Sequence, residues 1–266
     1  MASAVAAAVQ AGAATVVHTG GHECGPDMPG FHVVRGGRRT MAAVSEALVS
    51  SDAPVCVVPM TLGRDPRLVA DTARALRWLA ADEAKGRLVL AEPFGTKDHL
   101  ISWLRTAVQK AASWPGHTAD SAILITATAA GPFEDAELFR IARLVRQYGQ
   151  HRLVEVAFTG GDPDLEEGVE RCLRLGADRV TMVPAGFGAS GARRDCQAVD
   201  GGPLLSPSAI SGVLQARTRE ALHRLAHGHD GIHGGLDAEH GHGYAHSHPH
   251  DTTTGHTHIT PHAHHH

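Results

Sequence analysis

Short aliphatic runs alternate along this chain with longer stretches of helical period, and that alternation leaves few folds open. Val55–Pro59 (VCVVP) is a continuous β-branched run, the pattern of a strand buried on both faces. Similar runs are read at residues 14–17, 31–34, 87–91, 122–126, 153–158 and 179–184. Between them, residues 40–49, 66–80, 98–112, 134–148, 164–175 and about 206–226 carry helical spacing. Pro66 suits a first helical turn and Gly176 a helix stop. Strands alternating with helices imply parallel sheets with helices on both faces.

The pattern also repeats. VVP at Val57–Pro59 returns as MVP at Met182–Pro184, and ATVV before a Gly-rich turn returns as AILIT before a turn of small residues. The predicted class is therefore α/β: two similar lobes, each a small parallel sheet flanked by helices, with a cleft between them. The boundaries expected are a flexible arm over 1–13, a first lobe over 14–115, a second over 116–226, and a disordered His-rich tail over 227–266.

Composition removes several functions. Lys plus Arg is 24 against 28 Asp plus Glu, so the basic excess of a nucleic-acid binder is missing. No run approaches about 18 apolar residues, so no membrane span is expected. The Ala-rich N-terminus has no positive region and is a poor signal peptide. The four Cys are far apart and form no CxxC pair, which fits free thiols in the cytoplasm and speaks against a Cys-bound cluster.

His is the outlier, at 21, with fifteen of them between His223 and His266. From His227 onward there is no Lys or Arg and little apolar surface, so disorder is expected. His240, His242, His246, His248 and His250, spaced by two or four with acidic neighbours, are candidate metal ligands. Such donors favour Co, Ni, Cu or Zn over Mg or Ca. Their hold weakens as imidazoles protonate towards about pH 6. The last three His alone would read as a purification tag; fifteen with varied spacers do not.

In the body, the turn after the first run reads His18-Thr19-Gly20-Gly21-His22-Glu23-Cys24, with His18, His22 and Cys24 as a candidate metal-loading loop. Arg35, Arg38, Arg39, Arg64 and Arg67 fall near the carboxyl ends of predicted first-lobe strands, and Arg193 and Arg194 lie on the comparable second-lobe loop. Open α/β sheets bind ligands at those ends. These Arg are candidates for an anionic ligand or, equally, surface charge paired with Asp65, Asp71 or Asp195.

LVEVAF followed by DPDLEEGVERCLRLGADRVTMVP resembles the second-lobe signature of the CbiX-type sirohydrochlorin chelatases. PVCVVPMTLGRDPRLVADTARALR, AEPFGTKDHLISWL and AILITATAAGPFEDAELFRIARLVRQYG resemble further segments of the same family, in the same order, over nearly all of residues 14–225. The resemblance implies insertion of Co²⁺ or Fe²⁺, or Ni²⁺ as in some relatives, into sirohydrochlorin or a related tetrapyrrole of cobalamin or sirohaem synthesis. It implies no organic cofactor, the metal being a substrate. The family's first catalytic His matches His22 best, with His18 at the strand end and Glu23 as helpers. The chain departs from the family elsewhere. A short Gly/Pro-rich loop stands where the family has a helix between its first two strands. Residues 33–39 hold no carboxylate and residues 63–67 no His, where the family carries a Glu and a second His.

Three functions follow. The first is a chelatase with His22 receiving the metal and a pyrrole proton, and Arg side chains orienting the macrocycle. The second is a non-catalytic metal storage or delivery protein on a degenerate chelatase fold. The third is a different enzyme using the Arg loops for an anionic substrate. The expected partners are a tetrapyrrole and divalent metal ions, with no nucleic acid and no membrane, on a monomeric chain.

Overall fold

The computed structural model describes residues 8–238 apart from 12–13, 26–27, 29, 81–83, 85, 150 and 193–197. The first half contains β1 (Ala8–Ala11), β2 (Ala14–Gly20), β3 (Val33–Arg35), α1 (Gly37–Ser50), β4 (Val55–Met60), α2 (Pro66–Ala80), β5 (Leu88–Leu90) and α3 (Lys97–Ala112). The second contains β6 (Ala122–Thr128), α4 (Pro132–Gly149), β7 (Leu153–Thr159), α5 (Leu165–Arg174), β8 (Val180–Pro184), β9 (Ala198–Asp200), α6 (Pro207–Ala226) and α7 (Ile232–Leu236).

β2 and β4 are buried along their whole lengths, which is why they read as unbroken apolar runs. β4 lies parallel along one edge of β2, and β5 follows beyond β4. The other edge of β2 is shared: antiparallel β1 covers Ala14–Val17, and parallel β3 covers His18–Gly20. The second sheet is fully parallel, in the order β7-β6-β8-β9. The two sheets keep the same internal register. Thr19 of β2 faces Pro59 of β4, and Thr126 of β6 faces Pro184 of β8.

Helix ends follow local chemistry. Asp65 Oδ1 accepts from the Leu68 amide at the start of α2. Thr96 and His99 form a reciprocal capping box on α3, so His99 is a cap residue that also stacks on Trp103. Ser206 caps α6 ahead of Pro207.

The lobes are not separate cores. One apolar cluster takes Val58, Met60 and Leu104 from the first half and Ile123, Val156 and Val183 from the second. α3 packs on α4 and β8, and α6 packs back on β4 and β5. Each half thus lends its long last helix to the other's sheet. The cleft survives only at the carboxyl ends of the strands.

Two expectations about the ends are corrected. Within the arm expected over 1–13, Ala8–Ala11 is a strand hydrogen-bonded to β2. Within the tail expected from His227, residues 227–238 are folded. The Leu90 amide donates to Asp230, and Ile232 of α7 is buried. Gly231, at positive φ, and Gly235 allow the contact: a Cβ on Gly231 would lie 2.2 Å from the Leu90 carbonyl oxygen, and one on Gly235 2.5 Å from the Leu90 side chain. Among the described residues, no helix is long and apolar enough to cross a membrane.

Candidate functional site

The carboxyl ends of β2, β4, β6 and β8 converge on a cavity of about 200 Å³. Its first-lobe wall is His22, Glu23, Gly25 and Arg64; its second-lobe wall is made of small residues from the ends of β6, β7 and β8 and the loop after β8. The two walls touch, since the Phe187 amide donates to the Glu23 carbonyl oxygen at 2.9 Å. A Cβ on Gly186 would approach that same oxygen to 2.8 Å.

His22 stands three residues past Thr19 of β2. Its Nδ1 lies 3.2 Å from Asp65 Oδ2, and its buried Nε2 has no hydrogen-bond partner. Gly21 makes the approach possible, because a Cβ there would sit 1.8 Å from Asp65 Oδ2. A carboxylate on Nδ1 fixes the proton there and leaves the Nε2 lone pair for a metal or a proton. Burial alone would raise the Asp65 pKa. The hydrogen bond and charge of His22, with the Leu68 amide, outweigh it and hold Asp65 below the usual range.

Glu23 is buried. Its Oε2 accepts from the Thr61 hydroxyl and from the Leu62 amide at 2.9 Å, while Oε1 has no partner. Burial pushes its pKa up, against the opposing pull of Arg64. Arg64, 1% exposed, crosses from the β4 end to α4. Its Nε donates to the Glu134 carbonyl at 3.3 Å and one terminal nitrogen to Asp135 at 3.3 Å, while the other terminal nitrogen is unpartnered. Three unsatisfied buried polar atoms on residues of one small cavity are what a ligand site leaves exposed to its ligand.

The other site expectations fare differently. His18 is 4% exposed within β2, with Nδ1 3.3 Å from the His32 carbonyl oxygen and its ring against Phe31. Burial lowers its pKa and keeps it neutral, and it does not line the cavity. Cys24 donates its thiol to the Met60 carbonyl, burial pushes its pKa up to about 12, and it is not among the residues that line the cavity. His18, His22 and Cys24 therefore do not form one metal-loading group. Among the described residues, no three metal-ligating side chains converge.

The ring of Arg is also revised. Arg35 spends its guanidinium on the carbonyl oxygens of Gly21, Cys24 and Gly25, bracing the loop that carries His22. Arg38, Arg39 and Arg67 are exposed in the first turns of α1 and α2, outside the cavity lining. Among the described residues of this set, only Arg64 lines the cavity. Arg193, Arg194, His240, His242, His246, His248 and His250 lie outside the described residues. Asp65 and Thr61, which orient His22 and Glu23, were missed as site residues. The signal was present in Asp-Pro opening a helix just past a Val-Pro strand.

Residues 131–193 match the CbiX family model. The curated sirohydrochlorin cobaltochelatase of Priestia megaterium is 33% identical over 113 residues, which cover 40% of this chain and 37% of that protein. The chain thus matches little more than a third of that relative's length. Among solved structures, the sirohydrochlorin chelatase SirB from Bacillus subtilis subspecies spizizenii, in complex with cobalt, aligns with TM-score 0.49 and 11% identity over 82% of this chain and 97% of that one. The segment that matches the family model runs from α4 to the loop after β8.

Proposed function

We propose that the protein is a metal chelatase acting on sirohydrochlorin or a closely related tetrapyrrole, with Co²⁺ as the metal to test first and Fe²⁺ second. The observation that carries this reading is the His22–Asp65 pair, whose one free imidazole nitrogen belongs to the wall of the inter-lobe cavity. The reaction joins a divalent ion to the macrocycle and releases two pyrrole protons. His22 Nε2 has a single lone pair, so it cannot hold metal and proton together. In this reading His22 receives the metal. Glu23, whose raised pKa makes it a willing acceptor, takes one of the two protons on Oε1, and the other passes to solvent. The unpartnered nitrogen of Arg64 meets a carboxylate of the substrate.

The cavity is below the range of about 300–1,000 Å³ that ligand pockets usually need. In this reading it takes the metal ion and the edge of the macrocycle. Mixing the purified protein with sirohydrochlorin and Co²⁺, and following the absorption spectrum, tests the proposal. Insertion faster than in the protein-free mixture is expected; an unaccelerated rate removes the chelatase reading.

One observation favours a second reading. Residues 33–39 hold no carboxylate and residues 63–67 no His, which suits a carrier whose metal is held by the His-rich segment. Stoichiometric Co²⁺ binding with no acceleration and no tetrapyrrole binding would select it.

A further inference from the structure

α6 ends in two histidines one helical turn apart. His223 lies in its last turn, and His227 is its C-cap residue. Residues four apart stand one above the other on a helix face. Both side chains are exposed, and the two imidazole rings meet edge to face with their centres 4.7 Å apart. Neither residue lines the inter-lobe cavity.

That separation fits two rings sharing one ion. An imidazole nitrogen ligates zinc at about 2.0–2.1 Å, which puts its ring centre about 3.2 Å from the ion. Two rings set at about 90–110° around one ion, in square or tetrahedral geometry, then have centres about 4.5–5.2 Å apart.

The turn that carries the pair is tied to the fold. Ala221 is buried, and Arg224 reaches Glu92 at 2.8 Å, so the positive charge between the two His is paired. The amides of His227 and His229 donate to the Arg224 carbonyl, and that of Gly228 donates to the Leu225 carbonyl. Asp230, just beyond, accepts from the Leu90 amide of β5. The carboxyl end of a helix also favours a cation.

We propose that His223 and His227 chelate one divalent first-row cation at the end of α6, a site separate from the inter-lobe cavity and independent of the chelatase reading. Imidazole donors suit Zn, Cu, Ni or Co, whereas Mg and Ca prefer oxygen. Two donors fall short of the four of a closed structural site, so water completes the shell and the ion stays exchangeable. The bound ion ties the C-cap residue back to the last helical turn.

The test uses the full chain and Zn²⁺ at a buffered free concentration, so that uptake by the other His does not change what this site meets. Hydrogen exchange is read in a peptide covering residues 222–229. At free Zn²⁺ about ten times the site's dissociation constant, exchange in the last turn of the wild type is expected to slow about tenfold. His229→Ala is expected to keep the slowing, and Mg²⁺ is expected to cause none. His223→Gln, which leaves a good helix former in the last turn, and His227→Ala are each expected to lose it. A wild type whose last turn does not respond to Zn²⁺, or a slowing that persists in His223→Gln, overturns the proposal. Slowing in a protein that inserts no metal into sirohydrochlorin would instead remove the chelatase reading and leave this site standing.

Discussion

The two lobes share a backbone and divide the chemistry. Past Thr19 and Pro59 the first lobe places His22, Glu23, Arg64 and Asp65. Past Thr126 and Pro184, in the same register, the second places Ala127, Thr128, Ala185 and Gly186. The family match, residues 131–193, falls on the second lobe. So the half that holds the family-model match supplies a wall of small residues, and the other half supplies the titratable groups. Register alone does not make a site. What distinguishes the first lobe is a helix-capping carboxylate, Asp65, placed so that its second oxygen reaches an imidazole across a glycine.

His22 itself apart, the largest effect that would sharpen this contrast is expected at Asp65. Asp65→Asn keeps a good helix cap but removes the charge that fixes the Nδ1 proton of His22. The metal-insertion rate is expected to fall about 10–100-fold, well beyond what the accompanying loss of stability explains, since folding holds the Asp65 pKa down and the charge therefore also stabilises the fold. A rate that falls only in step with the folded fraction would make Asp65 a structural cap only.

Arg64 tests whether the first lobe also holds the second. Arg64→Met removes one partner of a buried ion pair and is expected to cost about 3 kcal/mol in urea unfolding, the low end for such a loss. Asp135 softens the cost, because it is partly exposed and keeps its bonds to the Ala130 amide. A change below about 0.5 kcal/mol, ordinary for a surface site, would mean that the lobes are held by their apolar core alone.

Glu23 gives the smallest effect and a signed pH dependence. Its folded pKa is raised by burial, so the folded chain binds the proton more readily than the unfolded chain does. Ionised Glu23 therefore costs stability above the ordinary carboxylate pKa, and that cost fades as pH falls through the raised value. Glu23→Gln resembles the protonated form. It is expected to be more stable than wild type well above the ordinary carboxylate pKa and to converge with it below that pKa. Asp65 shifts the other way, its contribution being lost as pH falls, but it is common to both proteins and cancels in the comparison. A pH-independent gap would contradict the burial of a titrating Glu23.

Much of this was legible in the sequence. Parallel strands buried on both faces leave unbroken aliphatic runs, so β2 and β4 through β8 could be read directly, and the VVP–MVP echo marked equivalent positions. β1, β9 and α7 could not, being 4, 3 and 5 residues long with no apolar period. α7 was lost inside a His-rich composition because its packing rests on two glycines, which carry no hydropathy signal. His22 was found by its place after a strand. Its partner Asp65 lies 43 positions on and is joined to it only by the fold. The Arg were visible as charge, but charge does not say direction: Arg35 turns back on its own loop and Arg64 inward to the other lobe.

The most direct test sets the two walls against each other. Co²⁺ insertion into sirohydrochlorin is measured for His22→Ala in the first lobe and Thr128→Val in the second, with Co²⁺ in excess over the tail imidazoles. His22→Ala is expected to lose about 10²–10⁴-fold, the range for removing a positioned reacting side chain, while Thr128→Val stays within about twofold of wild type, as for a surface substitution within about 0.5 kcal/mol. Equal losses in the two variants, or a His22→Ala protein as fast as wild type, would contradict the assignment of the chemistry to the first lobe.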